Sequence, residues 1–229
     1  MPSASEPNAD WLEKRRRLDA LLRLQAAVMS GGSSHHEAVR LLAEALSDSD
    51  NEIRELAASA LAEFGPDAQI ALPELIQAST DENPTVRRRA IRAIGFIGPI
   101  AADDAIGAVE AASEDADESV ALQAVATLGE FGPMSASAIP VMLSAIWTGD
   151  SRKRAVAGAA LQRVGQAAIP SLIQTLTHPA AEVRAKVAHV LGKMGNSAAE
   201  ARYALESLLH DPDELVRHAA QEALDSISA

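Results

Sequence analysis

The chain has 229 residues, a formal net charge of −12, 3% aromatic residues and no cysteine. Disulfides and thiolate metal sites are therefore excluded. The acid excess argues against nucleic acid as a partner, because phosphate binding needs a basic surface. No apolar run approaches a membrane span, and Met1 to Asp10 lacks the basic-then-apolar layout of a signal peptide, so a soluble, cytoplasmic protein is expected.

Residues 1–9, rich in Pro, Ser and Ala, read as a disordered N-terminus. Asp10 is placed to cap a helix over 10–30, with Trp11, Leu18, Leu22 and Met29 on one face and Gly31-Gly32-Ser33-Ser34 as its stop. A lone helix with an apolar face must dock somewhere, so this one is expected to cap the first unit of the array that follows. The basic run Lys14-Arg15-Arg16-Arg17 reads as a solvated helix face.

From residue 35 to 229 one pattern repeats. Its clearest copy runs from Pro84 to Pro99, with a proline in the first helical turn and a glycine stop. Val86, Ala90, Ala93, Ile94 and Ile97 recur at spacings of three and four, the signature of a buried helical face. The copies begin that stripe at Ile53, Val86, Val120, Lys153, Val183 and Val216. Twelve residues further on stand Gly65, Gly98, Gly132, Gly165, Gly195 and Ser228. A period of 30 to 34 residues signals stacked two-helix repeats, with approximate boundaries 35–67, 68–100, 101–134, 135–166, 167–197 and 198–229. The first helix of each repeat carries its own column: Leu42, Leu75, Val109, Met142, Leu172 and Leu205. Asp50, Asp117, Asp150 and Asp213 share a turn column with Asn83 and Ala180, and aspartate there can cap the second helix. Asp48, Asp81, Asp115 and Asp211 form another turn column.

One residue after each stripe start stand Arg54, Arg87, Arg154, Arg184 and Arg217, with Ala121 as the exception. The Asp-rich turn, the Val-Arg pair, the Ala-x-x-x-Leu-Gly core and the Gly stop resemble HEAT-like repeats of the short, phycobilisome-lyase type. The resemblance covers about Ala38 to Ile227. It implies an all-α, right-handed solenoid of about six two-helix repeats, in which the five arginines and the aspartates pair across stacked turns into a structural ladder. Ala121, Thr148, Lys153 and His178 depart from the pattern, which predicts an interrupted ladder around repeats three and four.

Catalytic chemistry finds little to stand on. Neither a phosphate-binding Gly-rich loop nor a nucleophile motif occurs. The six histidines share no repeat column, so stacking does not gather them, and no metal or cofactor is expected. Within the resembled family, deoxyhypusine hydroxylases hold iron through several His-Glu pairs, whereas here only His36-Glu37 forms one. DNA glycosylases with this fold use a basic, aromatic groove that an acidic, aromatic-poor chain lacks. A repeat type shared with phycobilin lyases does not transfer their activity. An enzyme or lyase-type enzyme subunit that handles a chromophore is the alternative reading.

The main reading is a non-enzymatic scaffold that binds a protein or peptide along its concave, second-helix face. On a helical wheel the positions two, six and nine after each stripe start lie opposite the core stripe, flanked by minus one, three and ten. Seven acids and seven bases occupy these columns, so the acid excess must lie on first helices, turns and termini. Repeat two offers Arg88, Arg89 and Arg92; repeats three and four offer Leu122, Ala126, Gly129, Ala155, Val156 and Ala159; repeat five adds Lys186, His189 and Lys193. A smooth apolar floor between basic shoulders fits an extended or helical peptide with acidic flanks. Phe96 and Trp147 break their columns and, if exposed, are natural anchors, Trp147 at the turn edge.

Overall fold

A computed structural model describes residues 9–29 and 35–228, and every regular element among them is helical. The described residues pack as two compact units, one within residues 1–100 and the other within 101–229. The glycine-serine stop proposed at 31–34 and residues 1–8 lie outside the described part.

The first unit contains α1 (Ala9–Met29), α2 (His35–Ala45), α3 (Asn51–Phe64), α4 (Leu72–Ala78) and α5 (Pro84–Ile97). In the second are α6 (Ala102–Ala112), α7 (Glu118–Glu130), α8 (Ile139–Thr148), α9 (Ser151–Val164), α10 (Ile169–Thr175), α11 (Ala181–Met194), α12 (Arg202–Leu208) and α13 (Glu214–Ser228). Second helices start where the turn chemistry dictates. Asp50 accepts from Glu52 N, Asn83 from Thr85 N and Val86 N, Asp117 from Ser119 N and Val120 N, and Asp213 from Leu215 N. Each satisfies backbone donors that the first helical turn leaves unpaired. Ala180 has no side chain to offer, and α11 starts without a cap.

At the other end the chain must reverse within a few residues. Gly65 and Gly98 do this at φ +54 and +84, a region that disfavours any residue with a Cβ, and the other glycines of the column share it. A short 3-10 segment follows each of them, such as Gly65–Ala71 and Gly132–Ala138, and leads into the first helix of the next repeat. These segments carry no apolar periodicity of their own, which is why the sequence reading passes over them.

The stripe Val86, Ala90, Ala93, Ile94 and Ile97 is buried, as is the first-helix column from Leu42 to Leu205. Lys153 interrupts the apolar column: its ammonium lies 3.5 Å from the Ser113 carbonyl, so the charge leaves the core along the length of its stem. Second helices touch their neighbours in the stack through a separate set of small residues. A Cβ built on Gly129 of α7 falls 2.7 Å from Ala160 Cα of α9, and one on Gly192 of α11 falls 2.8 Å from Ala223 Cα of α13. Gly129 was expected on the open floor; it is instead buried at a helix–helix crossing.

The N-terminal helix departs from expectation in three ways. It begins at Ala9, so Asp10 lies inside it rather than capping it. Leu21 is its buried leucine, while Leu22 is 49% exposed. The basic run makes specific contacts: Lys14 Nζ reaches Asp50 and Glu52 at 2.9 and 2.8 Å, and Arg17 Nη1 reaches Asp48 at 2.7 Å. Residues 14, 17 and 21 share a face by helical spacing, so these ion pairs set the rotation that buries Leu21. The histidines at 35 and 36 are likewise in the first turn of α2.

Two glycine substitutions test the packing in opposite directions. Gly107 stands in α6 with open space where a Cβ would go, so Gly107→Ala should stabilise by about 0.5–1 kcal/mol through helix propensity. Gly129→Ala gains the same propensity but forces α7 from α9 and should lose about 1–3 kcal/mol net of it. Urea midpoints that shift in the same direction for both would contradict the close approach.

Candidate functional site

Two sets of residues differ in what holds them: arginines drawn into the turn edge, and second-helix side chains left facing outward. In the first set, Arg54 is 7% exposed and donates from Nε and Nη2 to both oxygens of Asp81, at 2.7 and 2.9 Å. Its Nη1 donates to the Asp48 and Ser49 carbonyls of its own turn. Arg184 repeats the arrangement on Asp211 at 2.8 and 2.7 Å and on the His178 and Pro179 carbonyls. Arg87 and Arg217 make the same carbonyl contacts, Arg87 to Asp81 and Glu82, Arg217 to Asp211 and Pro212. Each aspartate in turn fixes its own bend, Asp81 accepting from Asn83 N and Asp211 from Asp213 N at 2.8 and 2.9 Å. The hydrogen bond from Arg184 holds the Asp211 carboxyl below the usual carboxylate range, against the opposing effect of burial.

The departures from pattern have visible consequences. His178 takes over the aspartate's local duty, its Nδ1 accepting from Ala180 N at 3.2 Å. An imidazole cannot receive a guanidinium in bidentate fashion, and Arg154 turns to Glu182 instead, with a second bond to the Ile146 carbonyl. Ala121 is buried and supplies no guanidinium at all. Trp147, 41% exposed, stacks on His178 with ring centres 5.7 Å apart and an interplanar angle of 18°.

On the outward set the two units are described separately. In the first, Arg88 is exposed, Arg92 lies 5.1 Å over the Phe96 ring, and Phe96 itself is 46% exposed. Arg89 donates to Ser59 Oγ, and Glu55 Oε2 stands 3.7 Å from its Nε. A groove of about 780 Å³ is lined by Arg89, Arg92 and Phe96 of α5, Ser59, Ala62 and Glu63 of α3, and Gly65 and Pro66. In the second unit, Ala155 and Ala159 are exposed on α9, while Leu122 and Ala126 on α7 and Val156 on α9 are half-buried. On α11, His189 and Lys193 are exposed and Lys186 half-buried. Desolvation and then the neighbouring Lys186 and Lys193 push the His189 imidazole below its ordinary value, which keeps it neutral at pH 7. The ninth position of the column, counted outward on the wheel, is buried where it is glycine, at Gly95, Gly129 and Gly192, but not at Ala62, Gln162 or Asp225.

The family model for HEAT repeats matches residues 72–162 and 149–225. The chain belongs to the HEAT-repeat family, and its all-α repeat fold is that of HEAT-like proteins. An engineered protein is similar over 83% of this chain and 96% of its own, with a TM-score of 0.56 and 23% identity. The archaeal HEAT-like repeats protein from Thermococcus onnurineus NA1 is similar over 91% and 92%, with a TM-score of 0.55 and 15% identity. The complex of CpcE and CpcF of phycocyanin lyase from Nostoc sp. PCC7120 is less similar, with a TM-score of 0.43 and 20% identity over 82% of this chain and 94% of that one. No curated protein matches the chain at a significant level. Among the described residues no helix is long and apolar enough to cross a membrane.

Adjacent arginines separate the two sets experimentally. Arg87→Ala removes a guanidinium bonded to two turn carbonyls and should cost about 1–3 kcal/mol. Arg88→Ala, on the exposed side, should stay within about 0.5 kcal/mol. Urea titration of both variants reads the difference, and equal losses would mean the faces are wrongly assigned. The Arg184–Asp211 pair adds a pH dependence. The folded carboxyl titrates below its unfolded value, so its contribution is present above the unfolded pKa of about 4 and is lost as pH falls through the folded one. Arg184→Gln should therefore be less stable than the parent at pH 7, with the gap closing as pH falls through the lowered pKa of the folded Asp211 carboxyl. A gap that persists undiminished in acid would show that packing, not the ion pair, is what the arginine supplies.

Proposed function

We propose that the protein is a non-enzymatic scaffold that binds a peptide or protein segment along the outward side of its second helices. The observation that carries this reading is the row of small apolar residues on α7 and α9. In register, Leu122 and Ala155 stand where the other repeats have Glu55, Arg88, Ala185 and His218, and Ala126 and Ala159 where they have Ser59, Arg92, His189 and Glu222. Ala155 and Ala159 are exposed, so this row is not there to fill the core. Helix propensity favours alanine on a solvated face, and leucine nearly as much, but it does not account for Val156. Adjacent packed helices lie about 10 Å apart, which gives a low floor two helices wide, and the cations of α11 beside it suit a segment with acidic flanks. Such a floor takes up an apolar helix face or an extended strand with little steric obstruction.

The test is a double charge insertion on the floor. Ala126→Glu with Ala159→Glu should leave the melting temperature nearly unchanged. Capture of a partner from native extract, quantified with the purified partner, should weaken at least tenfold, because two carboxylates would be buried on binding without mates. Undiminished binding by the folded double variant would move the interface to the first-helix side or to the turn edge at Trp147. Stoichiometric iron or zinc in the purified protein would instead favour the alternative, an enzyme subunit.

A further inference from the structure

The α3–α5 groove of the first unit stands apart from the floor just described, and its chemistry is more specific. Three guanidiniums, Arg88, Arg89 and Arg92, crowd one and a quarter turns of α5 in a chain whose net charge is −12. Among the described residues neither Arg88 nor Arg92 has a carboxylate within ion-pairing distance. Arg92 faces the Phe96 ring, which stabilises a cation without neutralising it. Arg89 is positioned by Ser59, and its buried Nε lacks a hydrogen-bond acceptor because Glu55 stops 3.7 Å away. Counting Glu55 and Glu63 against the three arginines leaves one uncompensated positive charge.

That surplus selects the ligand. A polyanion would be repelled by Glu63, which lines the groove, and by the net charge of −12 on the chain. A single carboxylate would not. Arg92 and Arg89 lie three apart on one helix face and present planar N–H forks, the donor type that matches a carboxylate bidentately. Beside them the groove is apolar: Phe96 is 46% exposed, and Ala62 and Pro66 share its lining. A volume of about 780 Å³ lies in the range of small-molecule sites, room for a few side chains of a bound segment.

We infer that this groove is a receptor for a protein segment that carries an acidic side chain next to an apolar one. The carboxylate is held by Arg92 and Arg89, and the apolar side chain lies on Phe96. The inference rests on the reading that the second-helix side binds protein, and it names the chemistry recognised at one place on it.

The probes are fluorescein-labelled 12-residue peptides of alternating glutamate and leucine, glutamine and leucine, or glutamate and serine, titrated by fluorescence anisotropy. The glutamate–leucine peptide should bind the full chain saturably and more tightly than either control by at least tenfold, with affinity falling as salt is raised. Arg92→Ala should weaken it at least tenfold. Phe96→Ala should weaken the glutamate–leucine peptide and leave the glutamate–serine peptide unchanged. Both side chains are solvent-exposed, and circular dichroism of the variants should match the parent. Equal binding of the glutamine peptide, or binding indifferent to Arg92→Ala and Phe96→Ala, would overturn the proposal. Loss of binding in Lys186→Ala/Lys193→Ala with Arg92→Ala intact would also overturn it, placing acid recognition on α11. No saturable binding up to about 1 mM would overturn the groove while leaving the floor on α7 and α9 to its own test.

Discussion

The turn-edge arginine is the contact on which the repeat geometry depends. Arg54 performs two tasks with one planar group: its Nη1 ties together the carbonyls of the bend before its own helix, and the other edge reaches the Asp81 carboxylate of the next repeat. Asp81 in turn fixes the bend that launches α5 through Asn83 N. A buried ion pair is not by itself evidence of stability, because desolvation offsets much of the Coulomb gain. Here the remaining donors and lone pairs are also used, which is the condition under which such a pair holds. Its structural effect is on spacing, since a bidentate bond fixes how far apart successive turns sit. Arg17 makes the corresponding contact with Asp48 from α1, so the same chemistry that joins repeats also seats the helix before them.

Fixing the turns at one edge leaves the second helices to pack by their small residues and frees one side of each from structural duty. Close approach at Gly129–Ala160 and Gly192–Ala223 brings the helix axes together there. What remains outward is available for variation at small cost in stability, which is how one repeat pattern presents arginines on α5, small apolar groups on α7 and α9, and cations on α11.

Much of this was legible in the sequence because a repeat samples each position several times. The buried columns from Ile53 to Val216, Lys153 apart, and from Leu42 to Leu205, the glycine column and the turn aspartates stand where their recurrence predicts. The failures come from treating a helix as having one buried side. A helix inside a stack meets its hairpin partner and also the neighbouring repeat. Gly129, opposite the stripe on a wheel drawn for a single face, is therefore buried by α9. The basic run of α1, whose Arg15 and Arg16 are exposed, was read incompletely for a related reason. Its partners Asp48, Asp50 and Glu52 are more than thirty residues away, and local charge patterning carries no trace of them. His178 illustrates a third limit: the side-chain type changed while the local hydrogen bond to the backbone two residues on was kept.

The interruption of the ladder in the second unit follows from the same logic and bears on where an outward surface can develop. Ala121 removes one guanidinium, Thr148 stands in the aspartate column, and Arg154 bonds to Glu182, whose side chain is 69% exposed. An exposed pair holds less firmly than the bidentate rung restored at Arg184–Asp211. Cohesion between α7 and α9 must then come from the second-helix side. There the structure supplies it through the Gly129–Ala160 approach. Small residues at the crossing are what permit this closeness, and small residues beside the crossing leave the exposed surface shallow. The apolar floor of α7 and α9 is thus compatible with the missing rung, since the packing that compensates for Ala121 also keeps the helices that carry the floor close together.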